Sequence, residues 1–237
     1  MTSQLLSLRP GLVAVPCTEV MWTRSVAAIA AATRAFPPQV DVVYDWCQVP
    51  TVQKRNYLVE RFVSDMKYQW LLFVDSDMLP DPDGLIRLAE EAEELKLDVL
   101  AAHCFTRHHV PFQACGGWRS EKNELSWIEA DKWDGGIHEV DWVGTGCVYL
   151  SRVILERMTE LRGREVFRPA AGMEKYARGE DQEFCASAKI AEFRLFYHTG
   201  IAVGHLGLTN IEEGFVRRID QRVPDRKPNC TTFAKSL

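Results

Sequence analysis

Apolar positions along the chain fall into two rhythms. Short continuous runs at 12–16 (LVAVP), 40–46 (VDVVYDW), 70–74 (WLLFV) and 98–105 (DVLAAHCF) read as strands, the uninterrupted ones buried on both faces. Between them the spacing becomes helical. Met21 to Phe36 combines good helix formers with a proline stop at Pro37-Pro38. Thr51 to Met66 is amphipathic, with Thr51 as its N-cap. A third helix runs to about Leu95, capped by Asp81 and carrying Pro82 at its first position. Strand and helix alternate with short connections up to residue 105. That predicts an α/β fold, one doubly wound unit with a mostly parallel sheet and helices on both faces.

The rhythm breaks after Phe105. Residues 106–140 are rich in Trp, Gly, His and charge and read as hairpins and loops. Val140 to Ser151 (VDWVGTGCVYLS) reads as a strand interrupted by glycines. Two more helices follow, Ser151 to Leu161 and Gly179 to Phe193. Arg194 to Gly207 reads as one or two strands that include His205. From Thr209 the chain is polar and charged, and no internal repeat occurs.

Composition narrows the classes. With 237 residues the chain has room for one sizeable α/β core. A net charge of −5 argues against a nucleic-acid backbone as main partner. No apolar run reaches the ~18 residues of a membrane span. The N-terminal stretch has neither a cationic start nor a small-residue cleavage site, so no leader is expected. Seven cysteines (17, 47, 104, 115, 147, 185 and 230) include no C-x-x-C pair and mostly lie in apolar stretches. They read as reduced, buried thiols of a cytoplasmic protein.

Four places carry chemistry. Asp75-Ser76-Asp77 follows the apolar run 70–74, at the carboxyl end of a strand, where open α/β sheets bind ligands. Residues i and i+2 share a side, so both carboxylates can converge on one hard cation, Mg²⁺ or Mn²⁺, leaving positions for diphosphate oxygens. The bland alternative is a strand end satisfying loop N–H groups. Asp81 already caps the next helix, which leaves Asp75 and Asp77 without a structural task. Gly144-Thr145-Gly146 interrupts a strand, either as a bulge or to let a ligand approach, with the Thr145 hydroxyl available to it. Glu180-Asp181 opens a helix, either as charges favoured by the helix dipole or as a general base. His205, between Gly204 and Gly207, is a structural histidine or the ligand missing from the aspartate pair. His103, His108, His109, His138 and His198 read as loop or core residues.

Taken in order, VAVP, KRNYLVE, WLLFVDSDM, VDWVGTGCVYLSR, GEDQEF and GHLG resemble a GT-A fold glycosyltransferase of the family 2-like group, in its short bacterial and phage-type form. The resemblance covers residues 10 to 207. It implies a Rossmann-like, mostly parallel central sheet with a small antiparallel second sheet. The whole chain would be one domain: a nucleotide-binding half at 10–105, a donor-sugar and acceptor half at 106–207, and a charged tail or lid at 208–237. It implies a nucleotide-diphosphate sugar donor (UDP- or GDP-sugar), a hydroxyl acceptor, and Mn²⁺ or Mg²⁺. The acceptor would be a saccharide or, less in keeping with the acidic balance, a modified DNA base. By the same resemblance Asp75 and Ser76 would lie at the donor, with Asp75 on the ribose and at the metal. Asp77 and His205 would complete the metal ligands. Pro16, Cys17 and Thr18 would lie by the base and ribose, and Arg55 and Asn56 near the donor pocket. Gly144, Thr145 and Gly146 would line the sugar, and Asp181 would be the base, with Glu180 beside it. Arg217 or Arg218 would reach phosphates if the tail closes as a lid.

Two other classes compete. A haloacid-dehalogenase-like phosphohydrolase would use Asp75 as nucleophile. Its motif normally ends the first strand, whereas two strand–helix units precede this one and Met78 follows it. A non-catalytic sugar-nucleotide-binding protein would share the fold without needing the acids.

Overall fold

The computed structural model describes residues 8–17, 21–106, 113–120, 124–169, 179–206 and 210–211. Between Gly11 and His103 the described chain forms the expected alternation, with one further short strand after the third. It runs β1 (Gly11–Pro16), α1 (Thr23–Arg34), β2 (Val40–Asp45), α2 (Thr51–Ser64), β3 (Trp70–Val74), β4 (Met78–Leu79), α3 (Pro82–Glu94) and β5 (Val99–His103). Then come β6 (Gly116–Arg119), β7 (Leu125–Trp127), a 3-10 turn at Ala130–Lys132, β8 (Ile137–Val140) and β9 (Trp142–Val143). The described chain closes with β10 (Cys147–Ser151), α4 (Arg152–Arg162), α5 (Glu180–Ile190), β11 (Leu195–Ala202), β12 (Gly204–Leu206) and β13 (Asn210–Ile211).

The central sheet has the order β2-β1-β3-β10-β5-β11-β8. Strands β2, β1, β3, β5 and β11 run one way; β10 and β8 run the other. Every residue of β1, β3, β5 and β10 is buried, as continuous apolar runs demand of strands covered on both faces. The two edges, β2 and β8, are mostly half-exposed. One core lies under α2, α4 and α5, built on Leu58, Phe62, Leu155, Met158 and Phe184. The other lies under α1 and α3, built on Ile29, Ala32, Leu85, Leu88 and Trp70. Two three-stranded antiparallel sheets, β13-β12-β4 and β7-β6-β9, complete the described fold.

Three expectations change. The run 140–151 is not one strand: Val140 ends β8, and β9 and β10 follow. β9 joins the small sheet with β6, and β10 inserts antiparallel between β3 and β5, so Gly144-Thr145-Gly146 is the crossing between two sheets. Within 106–140, Ile137–Val140 is an edge strand of the main sheet, paired with β11. Thr51 does not cap α2: Pro50 holds the N-cap position, and no side chain makes a capping bond. The other end of that helix is closed from afar. The Arg152 guanidinium donates to the carbonyls of Phe62 (3.1 Å) and Asp65 (2.6 Å), satisfying groups the helix leaves open. Asp81 caps α3 as read, its carboxylate accepting from the Gly84 N–H at 3.2 Å. No helix among the described residues is long and apolar enough to cross a membrane.

Candidate functional site

The site forms at the carboxyl end of β3, and the strand insertion builds it. Because β10 pairs with β3, the Asp75 N–H donates to the Gly146 carbonyl at 2.7 Å. The glycine crossing is thereby fixed against the first aspartate. A Cβ at Gly146 would lie 2.3 Å from the Met78 methyl and 3.5 Å from an Asp75 oxygen. A Cβ at Gly144 would lie 3.0 Å from the Cys115 Cβ and 3.8 Å from an Asp181 oxygen. Close approach, not a bulge alone, explains both glycines. The Thr145 hydroxyl between them is buried with no hydrogen-bond partner among the described residues.

Arg55 is the hub. Its side chain is only 4% exposed. One terminal nitrogen donates to both Asp75 oxygens at 2.8 and 2.9 Å; the other donates to Glu180 at 2.8 Å. Burial disfavours its charge, yet Asp75, Asp181 and Glu180 outweigh that and hold its pKa above the ordinary value. Burial pushes the Asp75 carboxyl up, with Arg55 pulling back and Asp77 adding repulsion. Asp181, in the first turn of α5, is pushed up to about 6, chiefly by burial; Arg55 opposes, and Glu180 and Asp75 reinforce.

A second short pairing brings in the histidine. β4 and β12 run antiparallel with His205 opposite Met78, one residue past Asp77. The His205 Nδ1–H donates to the Phe105 carbonyl at 2.7 Å, which turns Nε2 toward an Asp77 oxygen 3.5 Å away. Burial works against the imidazolium, but Asp77 and the Phe105 carbonyl outweigh it and raise the His205 pKa. An imidazole anchored through Nδ1 with Nε2 beside a carboxylate is an arrangement that suits a metal ligand. Asp75 and Glu180 bond the Arg55 guanidinium, Asp181 lies near enough to raise its pKa, and Asp77 adds a fourth carboxylate acting on Asp75, a negative excess that suits a divalent cation. No group of three His, Cys, Asp or Glu side chains among the described residues is arranged to hold a metal ion by itself. The Asp75 carboxylate is engaged by Arg55, while Asp77 and His205 face each other.

The remaining residues divide. Asn56 uses both ends of its amide on the Phe167 backbone, at 2.8 Å each, and so ties α2 to the chain after α4. Pro16 ends β1, and Cys17 is buried with its N–H on the Asp45 carbonyl at 2.9 Å. Its thiol is pushed up to about 11 by burial. Ser76 is buried, 4% exposed. Thr18, His108, His109, Arg217, Arg218 and the lid reading of the tail lie outside the described residues. His103 is a core residue, packed edge-on against Phe105, Trp133 and Tyr197. His198 is buried and bonded to Glu91 at 2.8 Å. Most described thiols are buried as expected, but Cys47 is exposed.

The motif reading passed over Lys54, which is buried and donates to the Cys17 carbonyl, pinning the end of β1 to α2. The signal was present. Lys54 and Arg55 precede Leu58 and Val59 by four residues, placing two cations on the buried stripe, where each needs a partner.

No family model and no curated protein matches the chain. Solved structures do. A197 from STIV is 16% identical with a TM-score of 0.55, over 84% of this chain and 86% of that one. GalNAc-T7, solved with UDP, GalNAc and Mn²⁺, is 10% identical with a TM-score of 0.58; the match covers 84% of this chain and 43% of that one. At these identities the likeness concerns the fold: a mixed α/β architecture of GT-A type, with a mostly parallel central sheet.

Proposed function

We propose that the protein is a metal-dependent glycosyltransferase, moving a sugar from a UDP- or GDP-sugar to an acceptor hydroxyl. The observation that carries this reading is that three distant parts of the chain meet beside the glycine crossing: Asp75, Glu180 and Asp181 about Arg55, and the Asp77–His205 pair next to Asp75. The GT-A fold and a neighbour holding UDP and Mn²⁺ agree with it. Residues 10–105 would bind the nucleotide, 106–207 the sugar and acceptor, and 208–237 would form the tail or lid.

Asp77 and His205 would hold Mn²⁺ or Mg²⁺, with donor oxygens in the open positions, in keeping with the few protein ligands such cations take. When bound, the cation would neutralise charge developing on the leaving diphosphate. Pro16, Cys17 and Thr18 would border the base, and Asp75 with Ser76 the ribose. Arg55 holds Asp75 and Glu180 in place. Gly144 and Gly146 leave room for the sugar, and the Thr145 hydroxyl would take one of its hydroxyls as partner. Asp181 would take the acceptor proton; a carboxyl pushed up to about 6 is a stronger base than an ordinary one and still ionised at neutral pH. Neither rival gains support. A nucleophilic Asp75 would have to attack while the Arg55 guanidinium, bonded to both its oxygens, lowers their nucleophilicity. A mere binding protein has no need of a desolvated carboxylate beside the glycines.

The test is a panel of nucleotide sugars with Mn²⁺, followed by release of nucleoside diphosphate. One donor is expected to be consumed, and Asp181→Asn to bind it while turning over at least ~100-fold more slowly. Consumption of no donor, or an Asp181→Asn variant as fast as the parent, would overturn the reading.

A further inference from the structure

Two thiols lie beside the site without a task in the proposed reaction. Cys104 follows β5 and Cys115 precedes β6. The bridge between Phe105 and Ala114 is antiparallel, which puts Cys104 and Cys115 directly across from each other. The Cys115 N–H donates to the Cys104 carbonyl at 2.8 Å. Hydrogen-bonded partners in such a pair have Cα atoms ~5.5 Å apart. A disulfide takes ~4.4–6.8 Å. The pair is not locked by the second ladder bond, because the Cys104 N–H donates to the Tyr197 hydroxyl at 3.0 Å. The two side chains are hydrogen-bonded to each other, and this contact holds Cys104 below the ordinary cysteine range despite its burial. Cys115 is the partly exposed member. Its carbonyl holds the Gly144 N–H at 2.7 Å, so the dithiol is joined to the glycine crossing.

We propose that Cys104 and Cys115 form a peroxide-oxidisable dithiol that closes into a disulfide beneath the site. One of the two sulfurs attacks hydrogen peroxide, the O–O bond breaks, and one water leaves, giving a sulfenic acid. The other sulfur then attacks that sulfur, the S–O bond breaks, and a second water leaves. Two thiols lose two electrons and two protons, and one peroxide becomes two waters. This site stands independently of the reaction proposed above, because its chemistry is read by mass and not by turnover.

Trypsin makes the test direct. Cleavage after Lys96, Arg107 and Arg119 puts Cys104 in peptide 97–107 and Cys115 in peptide 108–119, whereas Cys147 falls in 133–152. The native full chain is treated with peroxide, blocked with N-ethylmaleimide, digested and analysed by mass. The expected product is 97–107 joined to 108–119, lost after dithiothreitol. Cys115→Ser is expected to give no joined peptide. Recovery of both cysteines as blocked thiols, or Cys104 joined to 133–152, overturns the proposal. The parent arm decides even if the variant folds poorly.

Discussion

Replacing Asp181 by asparagine should stabilise the resting protein above pH 6. An acid that opens a helix usually contributes ~0.3–1 kcal/mol through the helix dipole, so its loss would destabilise. Asp181 is the opposite case. Burial, with Glu180 and Asp75 nearby, raises its carboxyl from 3.8 to about 6 against the pull of Arg55. In the unfolded chain it titrates near ~3.9. Below pH ~4 both states are protonated and the carboxyl has no effect on folding. Between pH ~4 and ~6 the folded state holds a proton that the unfolded state releases, so stability falls as pH rises. Above pH ~6 the loss is complete. Two pKa units are worth about 3 kcal/mol. Partial exposure and the amide's own need for partners reduce the expected gain to ~1–2 kcal/mol. For a domain of this size that is a rise in Tm of roughly 3–6 °C. The assay is thermal unfolding of parent and Asp181→Asn at pH 8 and pH 4, without nucleotide or metal. The gain should appear at pH 8 and vanish at pH 4. An unchanged or lowered Tm at pH 8 would refute the reasoning and return Asp181 to an ordinary helix opener.

Arg55→Met leaves two carboxylates, Asp75 and Glu180, without their shared cation and should cost about 3–5 kcal/mol, read as a lowered urea midpoint. A loss under ~1 kcal/mol would mean that the hub is dispensable. Gly146→Ala places a methyl 2.3 Å from the buried Met78 terminus and should destabilise by ~1–3 kcal/mol while weakening donor binding by filling the crossing beside Asp75. Normal donor affinity in a folded Gly146→Ala variant would show that the crossing does not border the donor.

The parallel half was legible because its signals are local. The runs 12–16 and 70–74 are uninterrupted and 99–102 follows the same pattern, and strands buried on both faces need nothing else. What was not legible depends on partners far along the chain. β8 carries an ordinary edge pattern and becomes a strand only because β11 pairs with it. The insertion of β10 between β3 and β5 likewise has no local mark, and it is what sets Gly146 against Asp75. The acids themselves were visible in Asp75-x-Asp77 and Glu180-Asp181. Their organiser was not: Arg55 reads as the donor-pocket arginine of a motif, and only its contacts reveal a clasp on Asp75 and Glu180. The Asn56 amide likewise shows its Phe167 partner only in the structure, since an amide serves a backbone as readily as a ligand.

The central claim is that Asp77 and His205 hold a divalent cation that in turn holds a nucleotide diphosphate. Calorimetric titration of UDP and GDP, each with and without Mn²⁺, tests it most directly in the parent and in Asp77→Ala. The account predicts that one nucleotide binds the parent only when Mn²⁺ is present, and that Asp77→Ala unfolds at an unchanged temperature but loses this metal-dependent binding. Failure of both nucleotides to bind under either condition, or equal metal-dependent binding by Asp77→Ala, would contradict it.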